Sequence, residues 1–190
     1  IIELPLHIRA RKCFFAFCEF LGKPVPDHIR PWVEAVITEQ TNGRLYRCAG
    51  PPLSILAPRG SAKSVFIGLA TAWLIGIHTV EKLPFYCLYI SYNTKLAALK
   101  SKTIRNMLAT ERYKKVFPEV RVNKAEKAEA KWSIDYAAAG IDTIGDPAIT
   151  ITASGLDASI TGFRAHWVVI DDCIKSAKSI ANPAIREELV

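Results

Sequence analysis

Apolar residues along this chain fall into short blocks separated by polar, glycine- and proline-rich breaks, and the blocks alternate between strand and helix length. Residues 53–57 (Leu-Ser-Ile-Leu-Ala) have the length and flanks of a short buried strand. Residues 65–75 follow, apolar on nearly every face and long enough for a buried helix. Residues 85–90, rich in aromatics and bounded by Pro84, make a second strand. Residues 91–94 form its exit loop, with Thr94 placed to cap a helix that runs to about Ala109. Residues 132–138 and 148–153 alternate enough to be strands, joined as a hairpin through 140–147. Residues 166–172 (His-Trp-Val-Val-Ile-Asp-Asp) are an apolar strand ending in two carboxylates.

The flanks read differently. Residues 3–21 are predicted helical, crowded with Phe14, Phe15, Phe17 and Phe20, and ended by Gly22 and Pro24. Asp27 can cap a second helix from about His28 to Thr41, with Pro31 in its first turns, where proline is tolerated. Gly50, Pro51 and Pro52 then break the chain. Residues 1–48 are therefore expected to be a helical N-terminal appendage, and 49–190 an α/β core. Strands alternating with helices predict a mostly parallel sheet with helices on both faces and a ligand site at the carboxyl ends of the strands. Residues 121–131 read as a charge-rich, exposed and mobile connection, and 184–189 as a helical start after Pro183.

Composition narrows the class. The 190 residues suit one domain, and half are apolar against 23% charged, so the chain is globular. No apolar run reaches the roughly 18–20 residues that cross a bilayer, so no membrane partner is expected. The chain starts without Met and without the basic opening of a signal peptide, like a piece of a longer protein. Five cysteines without a C-x-x-C pair read as reduced core thiols, and four scattered histidines argue against a zinc site. The net charge of +7 favours a polyanionic partner. At 100° per residue, Leu96, Leu99, Ile104, Met107 and Leu108 share one helical face. Lys95, Lys102, Arg105 and Arg112 fall opposite, as either a solvated basic face or a DNA-tracking one.

The candidate chemistry lies between the first strand and its helix. Residues 57–64 read A-P-R-G-S-A-K-S. Strand, tight small-residue loop, Lys-Ser and helix is the layout of a phosphate-binding loop. Pro58, Arg59, Gly60, Ser61, Ala62, Lys63, Ser64 and Val65 are its candidate nucleotide contacts. Small residues let backbone N–H groups curl around a phosphate, and the helix N-terminus adds about half a positive charge. Lys63 is placed to reach the β- and γ-phosphates of ATP and Ser64 to bind Mg2+. The usual G-x-x-x-x-G-K-[ST] pattern has Ala57 and Ala62 in place of its glycines. A methyl at 62 is tolerable only if that residue keeps φ below zero. The acidic strand end supplies the complement, Asp171 for Mg2+ and Asp172 for orienting and deprotonating water. Two buried carboxylates at a strand end are costly without a cation or hydrogen bonds. The long interval between the two motifs, with its extra strand and hairpin, suits the motor and helicase type of P-loop NTPase (the ASCE class).

Three segments carry a family resemblance. Residues 56–64 resemble the phosphate loop of large terminase subunits, the ATPases that pump DNA into bacteriophage and herpesvirus capsids. Those loops commonly hold an arginine where Arg59 stands. Residues 88–97 resemble the segment after that family's second strand. Residues 159–172 (Ser-Ile-Thr-Gly-Phe-Arg-Ala-His-Trp-Val-Val-Ile-Asp-Asp) are similar to the DNA maturase B branch of short-tailed phages. The resemblance covers about 50–190. It implies an ATP- and Mg2+-dependent translocase of double-stranded DNA in the cytoplasm of a bacterial host. The implied partners are the portal protein of the procapsid, a small terminase subunit, and sister copies in a homo-oligomeric ring. A nuclease domain and the family's coupling motif are implied to lie beyond Val190. By the same resemblance Arg59 clamps phosphates, and Arg59 or Arg164 stabilises charge at the γ-phosphate. Two departures stand out. Asp172 replaces a usual glutamate, and Thr161 stands where many members have an arginine, leaving Arg164 as the nearest replacement or as a structural ion-pair partner of Asp171 or Asp157. A helicase or remodeller fits less well, lacking further helicase motifs. A non-catalytic or weakly ATP-binding nucleic-acid-binding module with a degenerate loop is the reading from another class.

Overall fold

The computed structural model describes residues 4–38, 47–48, 54–58, 60–146, 148–156, 158, 162 and 164–173. Short helices α1 (Leu6–Arg9), α2 (Phe14–Phe20) and α3 (Arg30–Val36) lead into a two-stranded antiparallel ribbon of β1 (Ile37–Thr38) and β2 (Arg47–Cys48). Then come α4 (Lys63–Val80), β3 (Cys87–Ser91), α5 (Thr94–Leu108), α6 (Glu111–Val116), β4 (Val122–Lys127), β5 (Lys131–Ile134), β6 (Ile151–Gly155) and β7 (Trp167–Ile170). The main sheet has the order β4-β5-β6-β3-β7.

This is an α/β fold with a mixed sheet, which corrects the expectation of a mostly parallel one. β3 runs parallel to both β6 and β7, but β4 pairs antiparallel with β5, and β5 with β6. The antiparallel half comes from two hairpins. One is the predicted β5–β6 hairpin. The other is made by residues that read as a mobile connection: 122–127 form β4, at one edge of the sheet.

Side-chain bonds fix which face the helices cover. Trp132 Nε1 donates to Ser101 Oγ of α5 at 2.8 Å, and Trp167 Nε1 donates to Thr71 Oγ1 of α4 at 3.0 Å. Trp132, Ile151, Cys87 and Trp167 are successive register partners, so α4 and α5 lie on one face. Helices on both faces are not seen among the described residues. On the other face Val168 and Ile170 of β7 are 52% and 66% exposed.

Helix α4 is the centre of the core, with Leu69, Ala70, Ala72, Trp73, Leu74 and Ile75 all buried. It has the length and apolarity of a membrane span, but two-thirds of it is buried inside the fold. It also runs past the predicted end at Ile75. The N-terminal residues pack on it: the rings of Phe14 and Trp73 meet edge-on at 5.7 Å, and Trp73 Nε1 donates to the Ala10 carbonyl at 3.0 Å. That indole occupies the carbonyl a continuous helix would offer to Phe14, so the single predicted helix over 3–21 is two, α1 and α2. The second predicted helix is also shorter. A 3₁₀ turn over Asp27–Ile29 precedes α3, and the β-branched Val36-Ile37-Thr38 run turns extended into β1. Asp27 makes an i,i+3 ion pair with Arg30 at 3.5 Å instead of capping.

Strand and helix ends differ by small, local causes. Asp135 Oδ1 accepts from Ala138 N at 3.0 Å and turns the chain, ending β5 at Ile134 instead of Ala138. Asn93, not Thr94, caps α5, its Oδ1 accepting from Leu96 N at 2.8 Å. Thr94 Oγ1 instead accepts from Gly155 N. Helix α5 buries Ala97, Ser101, Ile104 and Leu108. Its apolar arc is narrower than predicted, and Leu99 is 56% exposed. The described cysteines 13, 18, 87 and 173 are free, with Cys18 and Cys87 buried, as reduced core thiols require.

Candidate nucleotide site

Lys63 and Ser64 are the first two residues of α4, so the helix N-terminus and its free N–H groups lie beside both side chains. The loop ahead of them turns tightly. Ser61 N donates to the Pro58 carbonyl at 3.4 Å, and Gly60 takes φ 83° with nothing within 4 Å of where a Cβ would be. His28 Nε2 lies 3.1 Å from the Ser61 carbonyl, tying the turn before α3 to the loop. Ala62 has φ 61° and ψ 16°. The requirement of a negative φ is therefore not met: the alanine sits in the left-handed region that glycine normally fills, with the strain of a Cβ there. The strand predicted at 53–57 is absent over the described residues 54–58, which pair with no other described segment. Leu56 is 97% exposed and Ile55 alone leans on the core. Arg59 lies outside the described residues.

The two motifs meet. Strand β7 ends at Ile170, and the ladder continues one step as Asp171 N donates to the Ile90 carbonyl at 2.9 Å. Pleat parity then puts Asp171 on the α4 face, where its Oδ2 accepts from Ser64 Oγ at 3.0 Å and from Tyr89 Oη at 2.8 Å. Asp171 is 3% exposed. Asp172 takes φ 50°, a left-handed turn that Asp tolerates, and this swings its carboxylate back over the loop. Its Oδ1 is 3.0 Å from Lys63 Nζ.

Tyr89 was not among the residues singled out from sequence. The signal was the period-2 run Phe85, Cys87, Tyr89, Ser91, whose last members flank Asp171 on the neighbouring strand. Burial, with the Asp171 carboxylate second, pushes its phenol well above the ordinary range, so it remains a hydrogen-bond donor. Ser61 Oγ and Ser91 Oγ are buried with no hydrogen-bond partner among the described residues, one in the loop and one at the end of β3. A cavity of about 290 Å³ opens beside the loop, lined by Phe14, Pro24, Val25, Ala62, Val65 and Phe66 among others. Sequence reasoning missed it because its walls come from segments far apart in the chain.

The remaining predicted residues are more scattered. Arg164 is exposed, and Asp171 accepts from Ser64 and Tyr89 and not from it. Thr161 and Asp157 lie outside the described residues. Lys95 and Arg112 are exposed, whereas Lys102 pairs with Glu129 and Arg105 Nη1 donates to the Ala128 carbonyl at 3.3 Å. Two of the four candidate DNA contacts are thus tied to the turn between β4 and β5.

The donor set fits a nucleotide with Mg2+. Ser64 Oγ and Asp171 offer hard oxygen ligands, and Mg2+ characteristically adds phosphate and water oxygens to one or two protein groups. The unpartnered Ser61 hydroxyl and the open space at Gly60 suit a phosphate oxygen. No family model matches the sequence, and no curated protein matches it.

Proposed function

We propose that this chain is the ATPase domain of a DNA-packaging motor of the large terminase kind, a P-loop ATPase that turns hydrolysis into movement of double-stranded DNA. One observation carries the ATPase part. Ser64 Oγ and Asp171 Oδ2, separated by 107 residues, are 3.0 Å apart, with Lys63 and Asp172 paired beside them. The terminase part rests on the sequence resemblance over 50–190, and with it the procapsid, portal, ring and host-cytoplasm setting.

The chemistry follows from the four side chains. Lys63 releases Asp172 when a stronger anion arrives, and its ammonium then neutralises the β- and γ-phosphates. Asp172, freed of its cation, accepts the proton of the attacking water. Asp171 and Ser64 hold Mg2+, which when bound offsets charge on the phosphate oxygens. Arg59 or Arg164 stabilises charge at the γ-phosphate, from this chain or from a neighbour in the ring. The base lies in the mainly apolar cavity against Val25, Val65 and Phe66. The movement of DNA needs only phosphate contacts.

The test is nucleotide binding followed by turnover in a chain extended beyond Val190. Tight Mg2+-ATP binding that Lys63→Ala removes supports the reading, and equal binding by the variant refutes it. Two observations favour a second reading, a nucleic-acid-binding module that binds nucleotide without hydrolysing it: Lys63 is already occupied by Asp172, and Ala62 is strained. Binding without turnover in the extended chain, on DNA and with portal present, would select it.

A further inference from the structure

We propose that Tyr89 is a positioning residue, holding the Asp171 carboxylate in the orientation that receives the metal. The inference rests on the nucleotide reading above and adds to it a group on a different strand.

The argument begins with the charge on Asp171. This carboxylate is 3% exposed, and the lysine nearest the motif is engaged by Asp172 instead. Its partners among the described residues are two neutral hydroxyls, both on one oxygen: Tyr89 Oη at 2.8 Å and Ser64 Oγ at 3.0 Å. A buried carboxylate without a cation is costly unless hydrogen bonds hold it, and it attracts a cation strongly. With Oδ2 engaged by two donors, the plane of the carboxylate is fixed and Oδ1 is left for the incoming ion or its water.

The two donors are not equivalent. Ser64 is half-buried at the helix start, and its oxygen is itself a candidate metal ligand. Tyr89 is 1% exposed, packed in the middle of β3, and held on the α4 face by register with Val169. A rigid ring on a central strand is the better orienting group, because its hydroxyl cannot follow the carboxylate if the carboxylate turns. Groups that hydrogen-bond a metal ligand typically set metal affinity by about 10–100-fold.

The experiment titrates Mg2+ against a fluorescent ATP analogue on the whole chain, with a parallel series in EDTA. In Tyr89→Phe the half-saturating Mg2+ concentration rises about tenfold, while analogue affinity in EDTA stays at the wild-type value. In an Asp171→Asn background the same Tyr89→Phe change has no further effect, since Tyr89 acts only through that carboxylate. An unchanged Mg2+ midpoint overturns the proposal. So does an equal loss with and without Mg2+, which marks a purely structural ring, or an undiminished effect in the Asp171→Asn background. A wild-type chain that binds the analogue identically in Mg2+ and EDTA refutes the metal site itself, and is read from the first titration alone. Thermal melting of each variant without nucleotide separates misfolding from the effect sought.

Discussion

Lys63 and Asp172 hold each other across the candidate site, with 3.0 Å between Nζ and Oδ1. One comes from the start of α4 and the other from the turn after β7, so the pair clasps the two motifs together. Asp172 is 46% exposed, so solvent screens the pair and its worth to the fold is about 1 kcal/mol or less. Lys63→Ala should therefore leave the melting temperature nearly unchanged while lowering ATP affinity at least tenfold. Asp172→Asn should separate the steps: hydrolysis falls, and ATP affinity holds or rises because Lys63 no longer has a competing partner. Isothermal titration and a phosphate-release assay on the extended chain check both, and a Lys63→Ala protein with wild-type affinity contradicts the assignment.

Ala62 carries a backbone that its methyl group opposes, with φ 61° just ahead of Lys63. Replacing it with glycine removes a steric cost of about 1 kcal/mol. For a chain of this size that is a rise of about 2–4 °C in melting temperature. Nucleotide affinity should be kept or improved, since the loop's shape is the one glycine prefers. A lower melting temperature in Ala62→Gly would show that the loop does not hold this conformation in solution.

Two glycines of α4 make a matched pair. A Cβ on Gly76 would sit 2.4 Å from Cδ2 of the buried Phe117 ring, whereas one on Gly68 would meet Ile104 at an ordinary 3.8 Å. Gly76→Ala should lose about 1–3 kcal/mol by overpacking, even after the gain in helix propensity. Gly68→Ala should be neutral or gain up to about 1 kcal/mol. Denaturant melts of the two variants give the comparison, and equal effects would displace α4 from its place beside Phe117.

How much of this was legible beforehand depended on whether a residue's role was local or made by contact. Strand β3, helix α5 and strand β7 follow from apolar blocks and flanks, and the Lys-Ser and Asp-Asp pairs from their spacing against those blocks. Strand β4 did not show, because the polar sequence of an edge strand reads like that of a solvated loop. The break between α1 and α2 depends on the Trp73 indole reaching the Ala10 carbonyl, a contact across 63 residues. Residues 53–57 carry a strand pattern, but a pattern forms a strand only where a neighbouring edge accepts it. Tyr89 reads as another core aromatic until Asp171 is placed beside it.

Stability should respond to alkaline pH in a definite direction. Burial raises the thiols of Cys18 and Cys87 above the ordinary value of 9.0, and the phenols of Tyr89, Tyr113 and Tyr136 above 10.0. The native chain keeps these protons while the unfolded chain begins to release them near pH 9. Their contribution is complete below pH 9 and is lost as pH rises beyond it, by about 1.4 kcal/mol per pH unit for each titrating group. Melting temperature should be level from pH 7 to 8.5 and fall between pH 9 and 10.5. A level profile to pH 10.5 would mean that these groups reach solvent in the native state.

Of the four basic residues proposed to meet DNA, Lys95, Lys102 and Arg105 lie on α5 but Arg112 lies on α6, so the single basic helical face is not formed, and their contacts divide them into two kinds. Lys102 is paired with Glu129, whose carboxyl is lowered from its usual range first by that hydrogen bond and then by the lysine's charge. Arg105 is bonded to the backbone at Ala128, while Lys95 and Arg112 are exposed. Binding to duplex DNA should be weak, independent of sequence and steeply salt-dependent, because only phosphate contacts are available. Each phosphate neutralised adds about −0.9 to the slope of log K against log salt. Reversing both Lys95 and Arg112 to Glu should flatten that slope by about 2 and weaken all duplex sequences alike. Reversing Lys102 should do less, since its charge is already partly met, and Glu129→Ala should strengthen binding by releasing it. Fluorescence anisotropy on one labelled duplex across a salt series measures all three. If Lys95 and Arg112 can be reversed with no change in slope, both are solvated surface and neither meets the duplex.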